Sequence, residues 1–404
     1  MANFFEPVCT SWREHAVTTT YRDAHESTNH PTAGRRGLLA GCRTLALAAS
    51  LAAALTACAV AEERAALKAV SPPVPVILPP WGNTPDGMTL LDDGTVLLSC
   101  PNFNDTTYPG VIMKLDRANA LSIFFPCPVH PETKRGCPMG LDAGPDGHVY
   151  YADNQYFYDK NHASRLMRVV MENGRPVRGE VAVEGLKLAN AVAWHGDAVY
   201  VSDTFLDIEG KPGMSGVYRF TRDELARGTV KVTPGLGDRH LLATFQTRAN
   251  PRNEMAGADG VTLDPAGRLY TGNFGDGVFS RVTIAADGTA AEKAVVSTAI
   301  SCVDGIFHDA ARGLIFIADS EKNAVQVFDP ATNRMTTLWE NDDSDGRDGL
   351  LDQPCEVLVR GDDLIVANFD MPFPGMKNKA FDKAHTLSIF RLPPAGRTAA
   401  TGAR

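Results

Sequence analysis

The 404-residue chain is poor in several things, and each shortage excludes a class of function. Of its eight cysteines, none forms a Cys-x-x-Cys or Cys-x-x-Cys-His pattern, so a zinc knuckle and a c-type haem are excluded. Lys and Arg together number 39 against 48 Asp and Glu, a net charge of −9. That balance offers no basic face for a nucleic acid. The most apolar run, Leu45 to about Leu55, is too short and too small in side chain for a comfortable transmembrane helix. What remains is an ordinary globular composition, 44% apolar and 22% charged, with ample material for a core.

The N-terminal residues carry an address. Residues 1–34 are polar and patternless, followed by Arg35-Arg36, the apolar run and Leu55-Thr56-Ala57-Cys58. A basic start, a short apolar segment and small residues before a cleavage point describe an export signal over 1–57. Leu-Thr-Ala-Cys is similar to the bacterial lipobox, which implies lipidation of Cys58 and a periplasmic or cell-envelope location. The alternative is a secreted protein in which Cys58 is incidental. Residues 58–73 then form a tether and 394–404 a disordered tail.

Between them one pattern recurs six times: an opening residue that is Asp or Asn in four of the six, a short apolar run, a tight turn, a second apolar run and a closing residue that is Asp or Asn in five. It opens at Asp86, Met139, Asn190, Asp259, Asp304 and Cys355, at intervals of 53, 51, 69, 45 and 51 residues. Such a repeat governs the whole fold. Each unit has room for four strands; the first offers Gly87–Leu91, Thr95–Cys100, Val111–Leu115 and Ala120–Phe125. The fifth opens with Val303–Phe307, and the sixth, with Glu356–Val359, Asp363–Ala367 and Thr386–Arg391, lacks its fourth strand. An orphan strand, Val74–Leu78, precedes the first unit. The economical solution is an all-β, six-bladed β-propeller over 74–393, closed by the N-terminal strand in the last blade, which leaves no free sheet edge. The long connections 101–110, 153–164, 203–215, 246–258, 340–354 and 369–385 then share one face, the binding face.

Aligning the repeats on their turn glycines (Gly94, Gly147, Gly196, Gly267, Gly313 and Gly361) puts the six opening residues in one ring at the channel mouth. Asp86, Asp259, Asp304 and Asn190 then converge with no Lys or Arg among them. Carboxylates at such range protonate or bind a cation, and a hard divalent ion on Asp and Asn oxygens satisfies the set. Calcium is the first choice, with zinc, manganese and magnesium as alternatives. A lone Asp-Gly would more simply cap a turn. The closing residues form a second ring: Cys100, Asp153, Asp203, Asn273, Asp319 and Asn368. Its main expected task is to bond loop amides, and Asp203 and Asn273 are retained as substrate contacts.

At this ring the chain resembles the gluconolactonase and senescence-marker-protein (regucalcin) family, with paraoxonase-like lactonases as distant cousins. The resemblance spans roughly 74–393 and rests on Asp304-Gly305 with its hairpin, Asp259-Gly260 with LDPAGRLY, Asn190 with AVAW, and Gln353-Pro354-Cys355-Glu356-Val357. It implies that Asp86, Asp259 and Asp304 hold a metal and that Asn190 contacts the substrate or adds a ligand. It further implies lactone hydrolysis, the cation polarising the carbonyl and activating water and Asp304 acting as base. The chain departs from the family in having Asp rather than Glu at 86, Asp rather than Asn at 259, and Leu188 where an Arg is common.

Other residues carry weaker signals. Asn341-Asp342-Asp343-Ser344-Asp345-Gly346 with Asp352 approaches a calcium-loop pattern, though its flanks are strands and a solvated acidic loop is the plainer reading. His130, His162, His240 and His385 are expected on or near the loop face, with His162 and His240 the candidates for substrate contact. Cys127–Cys137 is the first choice of disulfide and Cys302–Cys355 the second, leaving Cys100 over. Tyr108, Tyr156, Phe157, Tyr158, Phe205, Met371, Phe373 and Phe381 either cap the blades or wall an apolar pocket.

The reading is an exported, lipid-anchored monomer that hydrolyses a small lactone or ester with one divalent cation. It has no nucleic-acid partner and touches the membrane only through its anchor. The alternative is a non-catalytic propeller that binds a ligand or partner on its loop face. A quinone-dependent sugar dehydrogenase is a third class, which would want basic and aromatic groups that the ring does not supply.

Overall fold

The computed structural model describes residues 66–396, all within the second of the two units into which the chain divides, Arg64–Arg404. The export signal, Cys58 and the end of the tail lie outside the described residues. The first strand is β1 (Val74–Ile77). Blade one follows with β2 (Met88–Leu90), β3 (Val96–Cys100), β4 (Val111–Leu115) and β5 (Leu121–Pro126). Blade two holds β6 (Pro138–Ala143), β7 (Val149–Asp153), β8 (Ser164–Glu172) and β9 (Arg175–Leu186). Blade three holds β10 (Ala189–His195), β11 (Ala198–Asp203) and β12 (Met214–Thr221); a short helix α1 (Arg222–Ala226) and β13 (Val230–Lys231) precede its last strand, β14 (Leu241–Gln246). Blade four is β15 (Ala258–Leu263), β16 (Arg268–Asn273), β17 (Phe279–Ile284) and β18 (Ala290–Ser297). Blade five is β19 (Ile306–Asp309), β20 (Leu314–Asp319), β21 (Ala324–Asp329) and β22 (Arg334–Glu340). Blade six is β23 (Pro354–Arg360), β24 (Asp363–Asn368) and β25 (Thr386–Arg391).

The ring closes as expected. β1 pairs antiparallel with β25, Val74 opposite Ile389 and Ile77 opposite Thr386, and completes blade six. Part of the expected tether is docked rather than loose: Val70 N–H donates to the Arg391 carbonyl at 2.7 Å, and Leu67 and Ala69 pack between blades five and six. Blade three's long interval is explained by α1, whose Thr221 and Glu224 form a reciprocal capping box, and by β13, which crosses to pair with β9 of blade two. The first strand of blade five begins three residues later than expected, at Ile306 rather than Val303.

Six apolar clusters, one between each pair of neighbouring blades, make the core continuous around the ring. Two kinds of glycine make this possible. The six hairpin-turn glycines all have positive φ, from +56° at Gly196 to +82° at Gly94, where a Cβ would strain the backbone. The glycines that follow ring residues do something different. A Cβ on Gly87 would stand 2.5 Å from Gly140 Cα, and one on Gly260 would stand 2.3 Å from the Asp304 carbonyl oxygen. The recurring Asp-Gly is therefore not a turn cap: its glycine lets adjacent blades touch backbone to backbone beside the channel.

Candidate active site

The innermost strands are irregular at the mouth. Pairing slips between Pro138 and Leu141, Ala189 and Val192, Ala258 and Val261, and Pro354 and Glu356. The ring residues Met139, Asn190, Asp259 and Cys355 sit at these bulges, which re-aim a side chain out of the regular pleat. All six opening residues of the repeats line one cavity of about 240 Å³ at the mouth.

Asp86 and Asp259 are buried and Asp304 and Asn190 half-buried. Asp259 and Asp304 interact directly, and burial, then the charge of Asp304, then that of Asp86, pushes the Asp259 carboxyl well above its usual range. Burial and the Asp304 charge do the same to Asp86, whose Oδ2 is buried without a hydrogen-bond partner. Asp304 is pushed up to about 7: burial outweighs the hydrogen bond that its Oδ2 accepts from Ser320 Oγ at 2.6 Å. Ser320 Oγ also lies 2.6 Å from the Pro354 carbonyl. The Asn190 carboxamide has no hydrogen-bond partner among the described residues. An orphaned carboxylate oxygen, two mutually repelling carboxyls and a free carboxamide fit a hard divalent cation.

Sequence reasoning missed several contributors. Glu356 occupies the place in its repeat where the others carry the close-approach glycine or alanine; burial and the charges of Asp86 and Asp304 push its carboxyl well up. Glu254 and Asn154 line the cavity, and Asn154 Nδ2 is a buried donor without a partner. The walls are aromatic. Phe205 stacks on Tyr156 with centroids 5.0 Å apart, Tyr156 meets Phe157 edge-on at 6.1 Å, and Phe157 meets Phe103 at 5.1 Å. Phe369, Phe274, Phe373 and Leu188 complete the wall. No Lys or Arg lines the cavity. Of the aromatic candidates, Tyr156, Phe157, Phe205 and Phe373 reach it; Tyr108, Tyr158, Met371 and Phe381 do not.

Other expectations are corrected. Asp203 and Asn273 do not line the cavity. Asp203 accepts from the Lys187 and Leu188 amides at 2.9 and 2.7 Å, and Asn273 donates to Asp276 at 3.0 Å. Both hold loops, the role already expected of their ring as a whole. His162 faces Asp207 at 3.8 Å and does not line the cavity. His240 lies at the opposite end of blade three: its carbonyl accepts from Arg219 N–H near the hairpin turn, and its ring is held by Asp238 at 2.8 Å against Phe220. Cys127 and Cys137 are buried free thiols rather than a disulfide, as are Cys100, Cys302 and Cys355.

No protein-family model matches the chain, and no curated protein matches it in sequence. Solved structures do match. A gluconolactonase from Xanthomonas campestris superposes with a TM-score of 0.50 at 12% identity, over 82% of this chain and 99% of its own. A luciferin-regenerating enzyme superposes at 0.51 and 12% identity, over 80% and 98%. The chain carries the gluconolactonase fold. The same fold also serves a PQQ-bound aldose sugar dehydrogenase from Streptomyces coelicolor, at 0.51 and 14% identity over 81% and 98%. Within the gluconolactonase fold, then, the chemistry has to be read from the site.

Proposed function

We propose that this protein is a divalent-metal-dependent hydrolase of a small, neutral, apolar lactone or ester. The observation that carries the reading is the convergence of Asp86, Asp259, Asp304 and Asn190 in one mouth, with Asp86 Oδ2 orphaned, no Lys or Arg among the lining residues, and Arg252 acting on Asp304 only through space. These four residues would hold the cation, whose chemistry is to polarise the scissile carbonyl and acidify a water. Asp304 takes the proton from the attacking water. The hydrogen bond from Ser320 steadies its charged form and orients the carboxylate. The water oxygen bonds to the carbonyl carbon, the acyl C–O bond breaks, and the proton passes from Asp304 to the leaving alkoxide. Asn154 Nδ2 and the Asn190 carboxamide orient the substrate. The aromatic wall and Leu188 exclude bulk water and favour an uncharged acyl group over a sugar acid. Export and lipidation at Cys58 belong to the same proposal, as does the monomeric state.

The test is metal content of purified protein before and after chelation, with hydrolysis of aliphatic and aromatic lactones and aryl esters assayed in parallel. Activity lost on chelation, restored by the ion, and absent in Asp304→Ala with an unchanged circular dichroism spectrum supports the reading. Hydrolysis that survives both chelation and Asp304→Ala overturns it. A folded protein that binds no ion and cleaves nothing returns the mouth to the ligand-binding alternative.

A further inference from the structure

A second group of carboxylates lies on the loop face outside the cavity. Asp352 lies one residue before the end of the connection from β22 to β23, and Asp370 and Asp382 lie in the connection from β24 to β25. One oxygen of each lies within 4.8 Å of the other two. Asp352 and Asp370 are fully buried. Neither Asp352 nor Asp382 makes a salt bridge among the described residues; Arg347 acts on Asp382 only through space, and Asp343 and Asp345 add to the negative charge. Burial and these neighbours push Asp352 up to about 9 and Asp370 up to about 7. Three carboxyls so placed are costly unless protonated or neutralised by a cation.

A separate observation points the same way. His385 is only 4% exposed, and its Nδ1 has no hydrogen-bond partner. That atom faces the cluster, 3.7 Å from Asp370 Oδ2. Burial outweighs an opposing contact with the Phe369 backbone and holds the imidazole neutral, its value lowered to about 4, so it does not serve as the missing counter-charge. At its other edge Nε2 meets the Asn104 carboxamide at 3.0 Å. Turned about its axis, that carboxamide presents its oxygen to Nε2–H and leaves the Nδ1 lone pair on the cluster side. Asn378, also buried, touches Asp352 Oδ1 at 2.6 Å and Asp370 Oδ1 at 3.2 Å. Its own Oδ1 accepts from Ala380 N–H at 3.2 Å, which holds the carboxamide nitrogen toward the carboxylates, so Asn378 ties Asp352 to Asp370 rather than serving as a ligand.

We infer that Asp352, Asp370 and Asp382, completed by His385 and held together by Asn378, form a second divalent-cation site distinct from the channel mouth. Its donor set, mostly oxygen with one imidazole, suits calcium or manganese. Its place in the fold states its purpose. Gln353 and Phe369, neighbours of Asp352 and Asp370, both line the mouth cavity. They are already joined there, Phe369 N–H donating to the Gln353 carbonyl at 2.9 Å. A cation on the cluster ties the 341–353 connection to the 369–385 connection and braces that wall.

The experiment is equilibrium dialysis of full-length protein against calcium and, separately, manganese, with elemental analysis of bound ion. The Asp352→Asn/Asp370→Asn variant is expected to hold one ion fewer per chain than the unaltered protein, and His385→Gln to bind that ion about 10-fold more weakly. If the double variant does not fold, Asp304→Ala decides: with the mouth disabled and the loops intact it should still retain one ion of either metal, with a raised melting temperature. Equal stoichiometry in the unaltered and double-variant proteins, or an Asp304→Ala chain that binds neither metal, overturns the site. Because Asp304 lies outside the cluster, failure of the mouth reading and failure of this one give different results.

Discussion

Ser320 Oγ donates to Asp304 Oδ2 at 2.6 Å, linking the residue that follows β20 to the carboxylate that opens the same blade. The bond stabilises the charged carboxylate and opposes the effect of burial. Ser320→Ala should therefore raise the Asp304 value. The acid limb of the pH–rate profile is expected to move upward by about one unit, roughly a tenfold loss below it, with little change on the plateau. An unmoved acid limb would remove Asp304 from the role of base.

Acidity should act on stability as well. Asp86, Asp259 and Asp304 hold protons more tightly folded than unfolded, where a carboxyl titrates near ~4. Their contribution is complete below that pH and is lost as pH rises through the folded values, about 7 for Asp304. Asp352 and Asp370 act in the same sense. The chelated protein should melt at a lower temperature at pH 8 than at pH 5, and saturating calcium should flatten the difference. A chelated protein whose melting temperature rises over that range contradicts the arrangement.

The two kinds of glycine should fail differently. Gly260→Ala drives a Cβ to 2.3 Å from the Asp304 carbonyl oxygen, an overpacking cost of about 1–3 kcal/mol that also displaces the Asp304 backbone. Gly313→Ala meets nothing within 4 Å but must hold φ at +65°, costing roughly 1–2 kcal/mol. Urea unfolding should show both losses, and only Gly260→Ala should also weaken ion binding at the mouth.

Leu188→Arg tests the apolar wall. A cation placed in a cavity that has none should reduce kcat/KM for neutral aromatic lactones about tenfold and improve it for carboxylate-bearing ones. Unaltered selectivity would mean that the substrate does not reach Leu188.

Cys58→Ser tests the anchor. If Cys58 carries the lipid, the substitution should move the protein from the membrane pellet to the soluble fraction without affecting hydrolysis. Identical partitioning of the two forms would show that Cys58 holds no anchor.

Much of this was legible in sequence because it is periodic. Paired apolar runs around a glycine that must be left-handed recur six times, and the short span from each turn glycine back to its opening residue, six to nine residues, brings Asp86, Asn190, Asp259 and Asp304 to the same end of the ring. The aromatic candidates were half legible: Tyr156 and Phe205 come from different blades, and nothing in either loop announces that they stack. His240 was misplaced because the α1 and β13 excursion precedes it on the turn side of blade three, and an irregular connection carries no period from which to count.

The sequence by itself determined the repeat, the closure by Val74–Ile77 and the membership of the ring, because strand alternation and turn chemistry are local and tolerate no slip of register. Only the tertiary structure decided which polar residues face ligand and which serve the loops. Asp203 and Asp304 look alike in sequence, but one is surrounded by backbone amides and the other by carboxylates. That difference comes from how neighbouring blades and long loops meet, and so does the gathering of Asp352, Asp370 and Asp382. Such contacts arise when the ring closes and leave no local pattern to read.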